Sequence, residues 1–165
     1  VFSVVISKNV YRGGEKMLNS YEINKETIAI VPINNNNSKV LEEENTININ
    51  KNSSIIIDDS CRFFGSSYMG RHEGTKSLLG INYKSPIVVE ESNEIIFFPT
   101  ASPRVEDCHW ISLKHVDKLE KNGLKTKILF KNGQELNLNV SYGSLENQLL
   151  RATRLQSIMR DRKIA

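Results

Sequence analysis

The sequence predicts an α+β fold that is mostly antiparallel β-structure, with a short central helix and a long C-terminal helix. Short apolar runs of strand length recur from residue 21 to residue 140, and turn-forming residues separate them. Beyond residue 144 the apolar residues instead recur every three or four positions, which is the period of an amphipathic helix. The chain has 165 residues, enough for one domain that buries about 70 % of its unfolded surface.

Several strands are predicted in the first third of the chain. Residues 21–23 and 27–31 are extended runs on either side of Asn24-Lys25-Glu26, which predicts a hairpin. The asparagine tract at 34–37 follows Pro32 and predicts a loop. Two short strands are predicted after it, at residues 40–41 and 46–49.

The second half of the chain contains clearer strand signals. Residues 87–89 and 95–98 predict a hairpin that ends at Pro99, and residues 109–113 predict a further strand. Residues 125–130 and 135–140 flank Asn132-Gly133, the dipeptide that two-residue hairpin turns favour.

The least ordinary stretch of the sequence is residues 59–71, which combines aromatic, glycine, serine and arginine residues. Asp58 and Asp59 can lead a helix, and residues 61, 64 and 68 fall at helical spacing. Gly65 and Gly70 oppose a helix by about 1 kcal/mol each relative to alanine. We therefore predict a short helix with glycines at a close contact, ending near Gly74.

The final helix is predicted from about Ser144 to Arg162. Its apolar stripe consists of Leu145, Leu149, Ala152, Leu155 and Met159. Arg151, Arg154 and Arg162 fall on a neighbouring face.

Charge is distributed unevenly along the chain. Residues 17–113 contain eight Lys/Arg and thirteen Asp/Glu, a net charge of −5, whereas residues 114–165 contain eleven and five, a net charge of +6. A basic C-terminal third indicates either an anionic partner such as nucleic acid or a solvated lysine-rich face. Charge alone leaves both interpretations open.

The sequence contains no arrangement typical of a catalytic or metal site. Residues 65–70 fail the G-x-S-x-G pattern by one position, so no catalytic serine is expected and the protein is predicted not to be an enzyme. The cysteine and histidine spacings match no zinc site, and we expect neither a metal nor a cofactor. Cys61 and Cys108 are predicted to be buried thiols in a cytoplasmic protein without a membrane span.

The aromatic residues are expected mainly in the core, because large rings dominate core burial. This expectation covers Phe63, Phe64, Phe97, Phe98 and Trp110.

Residues 1–16 are expected to be a translated leader. Arg12-Gly13-Gly14-Glu15-Lys16, just before Met17, fits the codons of a purine-rich ribosome-binding site. Residues 17–165 would then form a single domain, and the leader would be disordered.

The 59–71 stretch resembles the signature of the ComK family of bacterial competence transcription factors. The resemblance rests on residues 60–68 with Gly70-Arg71, and it continues in order through residues 84–87, 97–100, 108 with 110–112, 115–116, 132–133, and 141–142 with 146–148. It implies a DNA-binding activator of DNA-uptake genes, located in the cytoplasm, that binds paired A/T-rich boxes of double-stranded DNA. The family binds largely through the minor groove, as dimers that pair into tetramers.

Candidate DNA contacts follow from the charge and placement of the residues, given that resemblance. A/T tracts have a narrow, strongly negative minor groove that attracts arginine. We expect the motif residues Arg62, Ser66, Ser67, Tyr68 and Arg71 to contact DNA, with the two arginines at the groove or its phosphates. The cations expected at the DNA backbone are Lys125, Lys127, Arg151 and Arg154.

Longer members of the family carry a C-terminal tail that docks the adaptor MecA, which delivers the protein to a Clp protease. Because this sequence stops at Ala165, docking of MecA and Clp through that tail is not expected. The alternative function is that of a short paralogue, which modulates a full-length competence factor by protein–protein association without productive DNA binding.

Overall fold

A computed structural model describes residues 17–163. The predicted leader, residues 1–16, lies outside this range. Within residues 17–163 the fold has nine strands, three α-helices and a short 3-10 helix at Leu113–His115. In chain order the strands and α-helices are β1 (Thr27–Asn34), β2 (Asn37–Glu42), β3 (Thr46–Ile49), α1 (Ser53–Phe63), α2 (Tyr68–Leu79), β4 (Ile87–Glu90), β5 (Ile95–Pro99), β6 (Trp110–Ser112), β7 (Val116–Asn122), β8 (Lys125–Phe130), β9 (Glu135–Leu138) and α3 (Tyr142–Lys163).

The strands form two antiparallel sheets. The larger sheet has the order β3-β2-β1-β6-β5-β4, and the smaller one has the order β7-β8-β9. Antiparallel sheets and a long C-terminal helix confirm the predicted α+β class.

Both faces of the six-stranded sheet are buried. Successive residues of β5 alternate between two cores, with Phe97 in the first and Phe98 in the second, as the two-residue period of a strand requires. Helix α1 covers the first face with Ile56, Ile57 and Cys61. Helix α3 and the smaller sheet cover the second face. The large sheet is therefore the middle layer of a three-layer domain.

The first predicted hairpin is wrong. Strand β1 pairs with β2 across a turn at residues 35–36, within the predicted 34–37 loop, and residues 21–23 join no sheet. Tyr21 and Ile23 are instead buried in the first core, where the Ile23 amide donates to Ser60 Oγ at 3.0 Å. Packing against α1 thus outweighs the local tendency to form a hairpin.

The predicted central helix is two helices. Helix α1 begins at Ser53, before the predicted start, with Asn52 as its N-cap. A turn at residues 64–67 then separates it from α2, which ends at Leu79 and passes the predicted end near Gly74. The apolar run at residues 55–57 therefore lies in a helix.

The later predictions agree closely with the structure. The strands at 87–89, 95–98, 109–113, 125–130 and 135–140 are present as β4, β5, β6, β8 and β9, and the predicted stripe of α3 packs in the second core. The loop between β8 and β9 has three residues, 131–133, rather than the predicted two, because the Phe130 amide donates to the Gln134 carbonyl at 2.9 Å and Gly133 has φ of 92°. Strand β7 was not predicted, because most of its residues are charged and exposed.

Four of the five aromatic predictions fit the core. Phe97, Phe98 and Trp110 are fully buried, and Phe64 packs at the edge of the first core. Phe63 is wrong, since it is 56 % exposed at the end of α1.

Both cysteines are buried free thiols, as predicted. Burial raises the pKa of Cys61 to about 11 and that of Cys108 to about 12, so both remain protonated at neutral pH. Among residues 17–163, none of the helices combines the length and apolar character needed to cross a bilayer.

Helix α3 should depend on Leu155 for its attachment to the second core, because this side chain is fully buried. We expect Leu155→Ala to lower the free energy of unfolding by about 2–5 kcal/mol. Leu150→Ala, on the same helix at a 60 % exposed position, should change it by less than about 0.5 kcal/mol. Urea denaturation measures both values, and equal effects would contradict this placement of α3.

Candidate nucleic-acid interface

The unusual stretch of the sequence forms the end of α1, a tight turn at residues 64–67 and the first turn of α2, and together with Asp58 we call it the corner (residues 58–71). Helix α1 ends in a Schellman motif. The amide of Gly65 donates to the Arg62 carbonyl at 3.0 Å, and the amide of Ser66 donates to the Cys61 carbonyl at 2.9 Å. Gly65 has φ of 86°, a left-handed conformation that favours glycine.

Two serines shape the start of α2. Ser67 is its N-cap, and its Oγ accepts a hydrogen bond from the Gly70 amide at 3.0 Å. A Cβ at position 70 would lie 3.1 Å from Ser66 Oγ and 3.3 Å from Ser67 Oγ. Glycine at position 70 therefore permits both hydroxyls to approach the helix.

Asp58 joins the two helices of the corner. One carboxylate oxygen accepts from the Tyr68 amide at 2.8 Å, and the other accepts from Arg62 Nε at 2.8 Å. Burial alone would raise the pKa of Asp58, but the bonds from Arg62 and Tyr68 outweigh it and lower the pKa below its usual range. The charged form of Asp58 thus stabilises the corner.

Tyr68 is half-buried behind the corner. Its ring meets Trp110 edge-on, with centroids 6.2 Å apart, and stacks on His72 at 5.8 Å. Burial raises the pKa of Tyr68. Ser66, Ser67 and Tyr68, all predicted DNA contacts, therefore have structural contacts here, and their contact with DNA stays a prediction.

The two arginines of the corner differ in exposure. The Arg62 side chain is 64 % exposed, although its charge is partly offset by Asp58. Arg71 is half-buried, and its Nε has no hydrogen-bond partner among the described residues. Arg71 lines a shallow depression with Phe64, Lys163 and the turn residues 90–92, which include two glutamates. A carboxylate therefore pairs with Arg62, and two glutamates line the depression that contains Arg71.

A second cationic surface lies beside the first half of α3. The Arg151 guanidinium lies over the Tyr83 ring at 5.5 Å, and Lys84 Nζ approaches the same ring at 5.9 Å. Arg151 also donates to Gln148 Oε1 at 3.1 Å. Tyr83 is 62 % exposed, whereas Lys84 and Arg151 are half-buried beside its ring.

Gln148 fixes this arrangement to the sheet. Its buried Nε2 donates to the Lys84 and Pro99 carbonyls, each at 2.8 Å. Lys84 itself has φ of 48°, which is uncommon for a residue other than glycine. The buried amide thus holds the loop after α2 against α3 and the end of β5.

The β7–β8 hairpin adds further cations near the start of α3. Lys121 Nζ lies 5.4 Å from the centroid of the Tyr142 ring, and Lys125 is exposed at the start of β8. Lys127 is half-buried, and its Nζ lies 3.5 Å from a Glu135 oxygen. Arg154 is exposed on α3, about one turn after Arg151.

We call two cation–ring groups together the basic–aromatic end. One group is Tyr83, Lys84 and Arg151, and the other is Lys121 and Tyr142, with Lys125 at the adjacent hairpin turn. Arg151 is about 14 Å along α3 from Tyr142, since a helix rises 1.5 Å per residue, and about two and a half turns place the two side chains on opposite sides of the helix. Lys125 and Arg151, two of the predicted backbone contacts, therefore belong to separate groups beside the first half of α3.

The corner lies at the opposite end of β4. Lys84, at the basic–aromatic end, precedes β4, whereas Glu90, beside Arg71, ends it. Lys163, which lines the depression with Arg71, lies about 18 Å along α3 from Arg151. Arg62 and Arg71 are therefore not in one cluster with Lys125 and Arg151.

The sequence prediction missed four residues of the basic–aromatic end, namely Tyr83, Lys84, Lys121 and Tyr142. Lys84 and Tyr142 lie in segments that carry the family resemblance, which was a usable signal. Lys121 and Tyr83 have no such signal, because only the tertiary structure places them against Tyr142 and Arg151.

Comparisons with known proteins identify one family. The model of the family described as "ComK protein" matches residues 18–164. The chain is also similar to the competence transcription factor of Bacillus subtilis (strain 168), with 41 % identity over 149 residues, which cover 88 % of this chain and 78 % of that protein. No solved structure matches the chain significantly.

Two glycines test the corner with effects of opposite sign. Gly65→Ala should lower the free energy of unfolding by about 1–2 kcal/mol, because alanine is strained at φ of 86°. Gly74→Ala should raise it by roughly 1 kcal/mol, since Gly74 lies inside α2 with open space around its Cβ position. Urea denaturation gives both values; a stabilising Gly65→Ala would contradict the left-handed turn.

The Asp58 bridge predicts a pH dependence of stability. Because the folded pKa is below the unfolded value of about 3.9, the stabilisation is complete above that value and is lost as pH falls through the folded pKa. Asp58→Asn should therefore be less stable than the native chain near neutral pH, and the difference should shrink on acidification. Denaturation with urea over a pH series measures it, and Asp117→Asn, at an exposed position, is the control.

Proposed function

The chain belongs to the ComK family, and from this premise we propose that it is a DNA-binding transcription factor that activates competence genes. It binds paired A/T-rich boxes, largely through the minor groove, as dimers that associate into tetramers. Membership of the family supports the class of function. The geometry of the two cationic surfaces supports the choice of contact residues.

The observation that carries the DNA contact is the basic–aromatic end. Lys121 and Lys125 are exposed there, and Lys84 and Arg151 are half-buried against the exposed Tyr83. Gln148 holds the Tyr83 group in place, because it donates to the Lys84 carbonyl and accepts from Arg151. Phosphate contacts come mainly from lysine and arginine, and they supply most of the sequence-independent affinity. A preorganised cationic surface loses little side-chain entropy when it meets a duplex. We therefore assign most phosphate contacts to Lys125 and Arg151, with Arg154 next to them.

The corner is a weaker candidate for phosphates and a better one for the groove. Arg62 already has a carboxylate partner, and Glu90 and Glu91 lie beside Arg71. The exposed Phe63 and Met69, however, place apolar surface beside Arg62. Apolar side chains and an arginine suit the sugar-lined walls of a narrow minor groove better than an open phosphate. We assign Arg62 and Arg71 to the groove of a second part of the site.

We expect the native chain to shift A/T-rich duplexes with paired boxes in a gel at low salt, and a minor-groove drug to compete. Arg151→Gln and Lys125→Ala should each weaken binding roughly tenfold and reduce the slope of log affinity against log salt by about 1, because each removes one phosphate contact. Arg62→Ala and Arg71→Ala should relax the preference for A/T-rich sequence instead, with a smaller change of salt slope.

Lys39→Ala is the matched control for these variants. Lys39 is an exposed lysine of β2, near the far edge of the large sheet from β4, so its removal lowers net charge equally. Circular dichroism and the melting temperature establish that each variant is folded. Equal weakening by Lys39→Ala would show that net charge alone is measured.

The absence of any shift at low salt would overturn the DNA-binding proposal and favour association with a full-length competence factor. Insensitivity to the drug would remove only the minor-groove part. Sedimentation velocity with one-box and two-box duplexes tests the assembly, since paired dimers require both boxes for the tetramer.

A further inference from the structure

Leu124 is the most exposed large apolar side chain among the described residues, at 95 %. It lies at the tip of the β7–β8 hairpin, where Asn122 pairs with Lys125 across a two-residue turn. Gly123 occupies the first turn position with φ of 65°, as a type II′ turn favours. The turn thus holds Leu124 at the outermost point of a β-ribbon.

Lysines flank this leucine on both strands of the hairpin. Residues 121–127 contain three lysines and no acidic residue. Lys121 lies over Tyr142, on the core side of the hairpin, and Lys125 follows the tip directly. Lys127, two residues further along β8, pairs with Glu120 across the ribbon and is partly offset by Glu135. The apolar tip is therefore flanked by Lys121 and Lys125, which we call the positive collar.

A single exposed leucine is ordinary on a protein surface, and by itself it identifies no partner. The positive collar narrows the possible partners to those with an anionic surface. The leucine further requires that this surface have an apolar region between two charged edges. A duplex has this arrangement: phosphates line both sides of the minor groove, and the base stack lies between them. Minor-groove proteins use leucine, among other apolar residues, as a wedge between base pairs.

We propose that Leu124 is a wedge that enters the minor groove and inserts between adjacent base pairs, while Lys121 and Lys125 contact the flanking phosphates. This inference rests on the proposed DNA binding. It adds a residue whose binding depends on how easily a base-pair step of the DNA can be unstacked. Insertion unstacks one step and kinks the duplex toward the major groove. Pyrimidine–purine steps such as TA unstack most easily, so the wedge selects for such a step within an A/T-rich site.

The test uses the full chain and A/T-rich duplexes in which 2-aminopurine replaces adenine at one position at a time. Unstacking raises 2-aminopurine fluorescence, and energy transfer between dyes at the duplex ends reports the bend. The native chain should raise the fluorescence at one step and bring the ends together. Leu124→Ser should bind about tenfold more weakly, because the leucine is no longer buried, and should abolish both signals.

Three further variants distinguish the effect of the wedge from the effects of charge and of exposed apolar residues in general. Leu124→Phe should retain the fluorescence signal, since phenylalanine is also a wedge residue. Lys125→Ala should weaken binding and lower the salt slope by about 1, but should keep the signal on the bound duplex. Ile33→Ser removes a 49 % exposed aliphatic residue near the turn of a different hairpin, β1–β2, and should change nothing.

The wedge is overturned if the native chain binds without a fluorescence increase at any position, or if Leu124→Ser leaves affinity and bend unchanged. In both cases the gel shift of the native chain persists, so the proposed DNA binding stands. If the native chain binds no A/T-rich duplex at low salt, the proposed function fails and the wedge fails with it.

Discussion

The burial of both faces of the six-stranded sheet is the constraint on which the rest of the structure depends. A sheet with one wet face alternates polar and apolar residues, whereas a doubly covered sheet has continuous apolar runs. Residues 87–89 of β4 and 95–98 of β5 are such runs, and each of these side chains enters one of two cores. Each face of the sheet must then be covered by another element. Helix α1 covers one face, and α3 together with the smaller sheet covers the other. Polar residues are displaced to the ends of the strands, where both cationic surfaces lie.

The backbone carbonyls at the ends of these strands are buried away from water and therefore need hydrogen-bond donors. An unpaired buried carbonyl costs about 1–3 kcal/mol, so the residues that satisfy such groups determine where the loops run. Gln148 does this for the Lys84 and Pro99 carbonyls, and Thr75 does it for the Pro86 carbonyl at 2.8 Å. These bonds fasten α2 and α3 to the margin of β4. The same helix that closes the second core therefore also presents Arg151 to solvent.

The corner illustrates how a motif that is unusual in composition can be largely structural. Gly65 ends α1, Ser67 begins α2, and Asp58 holds the two helices together. Ser60 and Cys61 face the first core. After these requirements are met, the exposed remainder of the motif includes Arg62, Phe63 and Met69. The exposed residues of the corner thus include the proposed groove contact Arg62, whereas its serines and glycines determine the shape of the turn.

The sequence by itself determined the α+β class, five of the later strands, helix α3 with its apolar stripe, and the family. These features depend on local periodicity, on turn dipeptides such as Asn132-Gly133, or on a long ordered resemblance, all of which are present in the linear chain. Only the tertiary structure decided that residues 21–23 leave the sheet, that α1 and α2 are separate, and that β7 forms. It also decided which cations meet, because Lys121 reaches Tyr142 and Arg151 reaches Tyr83 through packing between segments that are distant in sequence. The local sequence pattern determines the secondary structure of a segment, whereas the packing of the surrounding segments determines which residues it contacts.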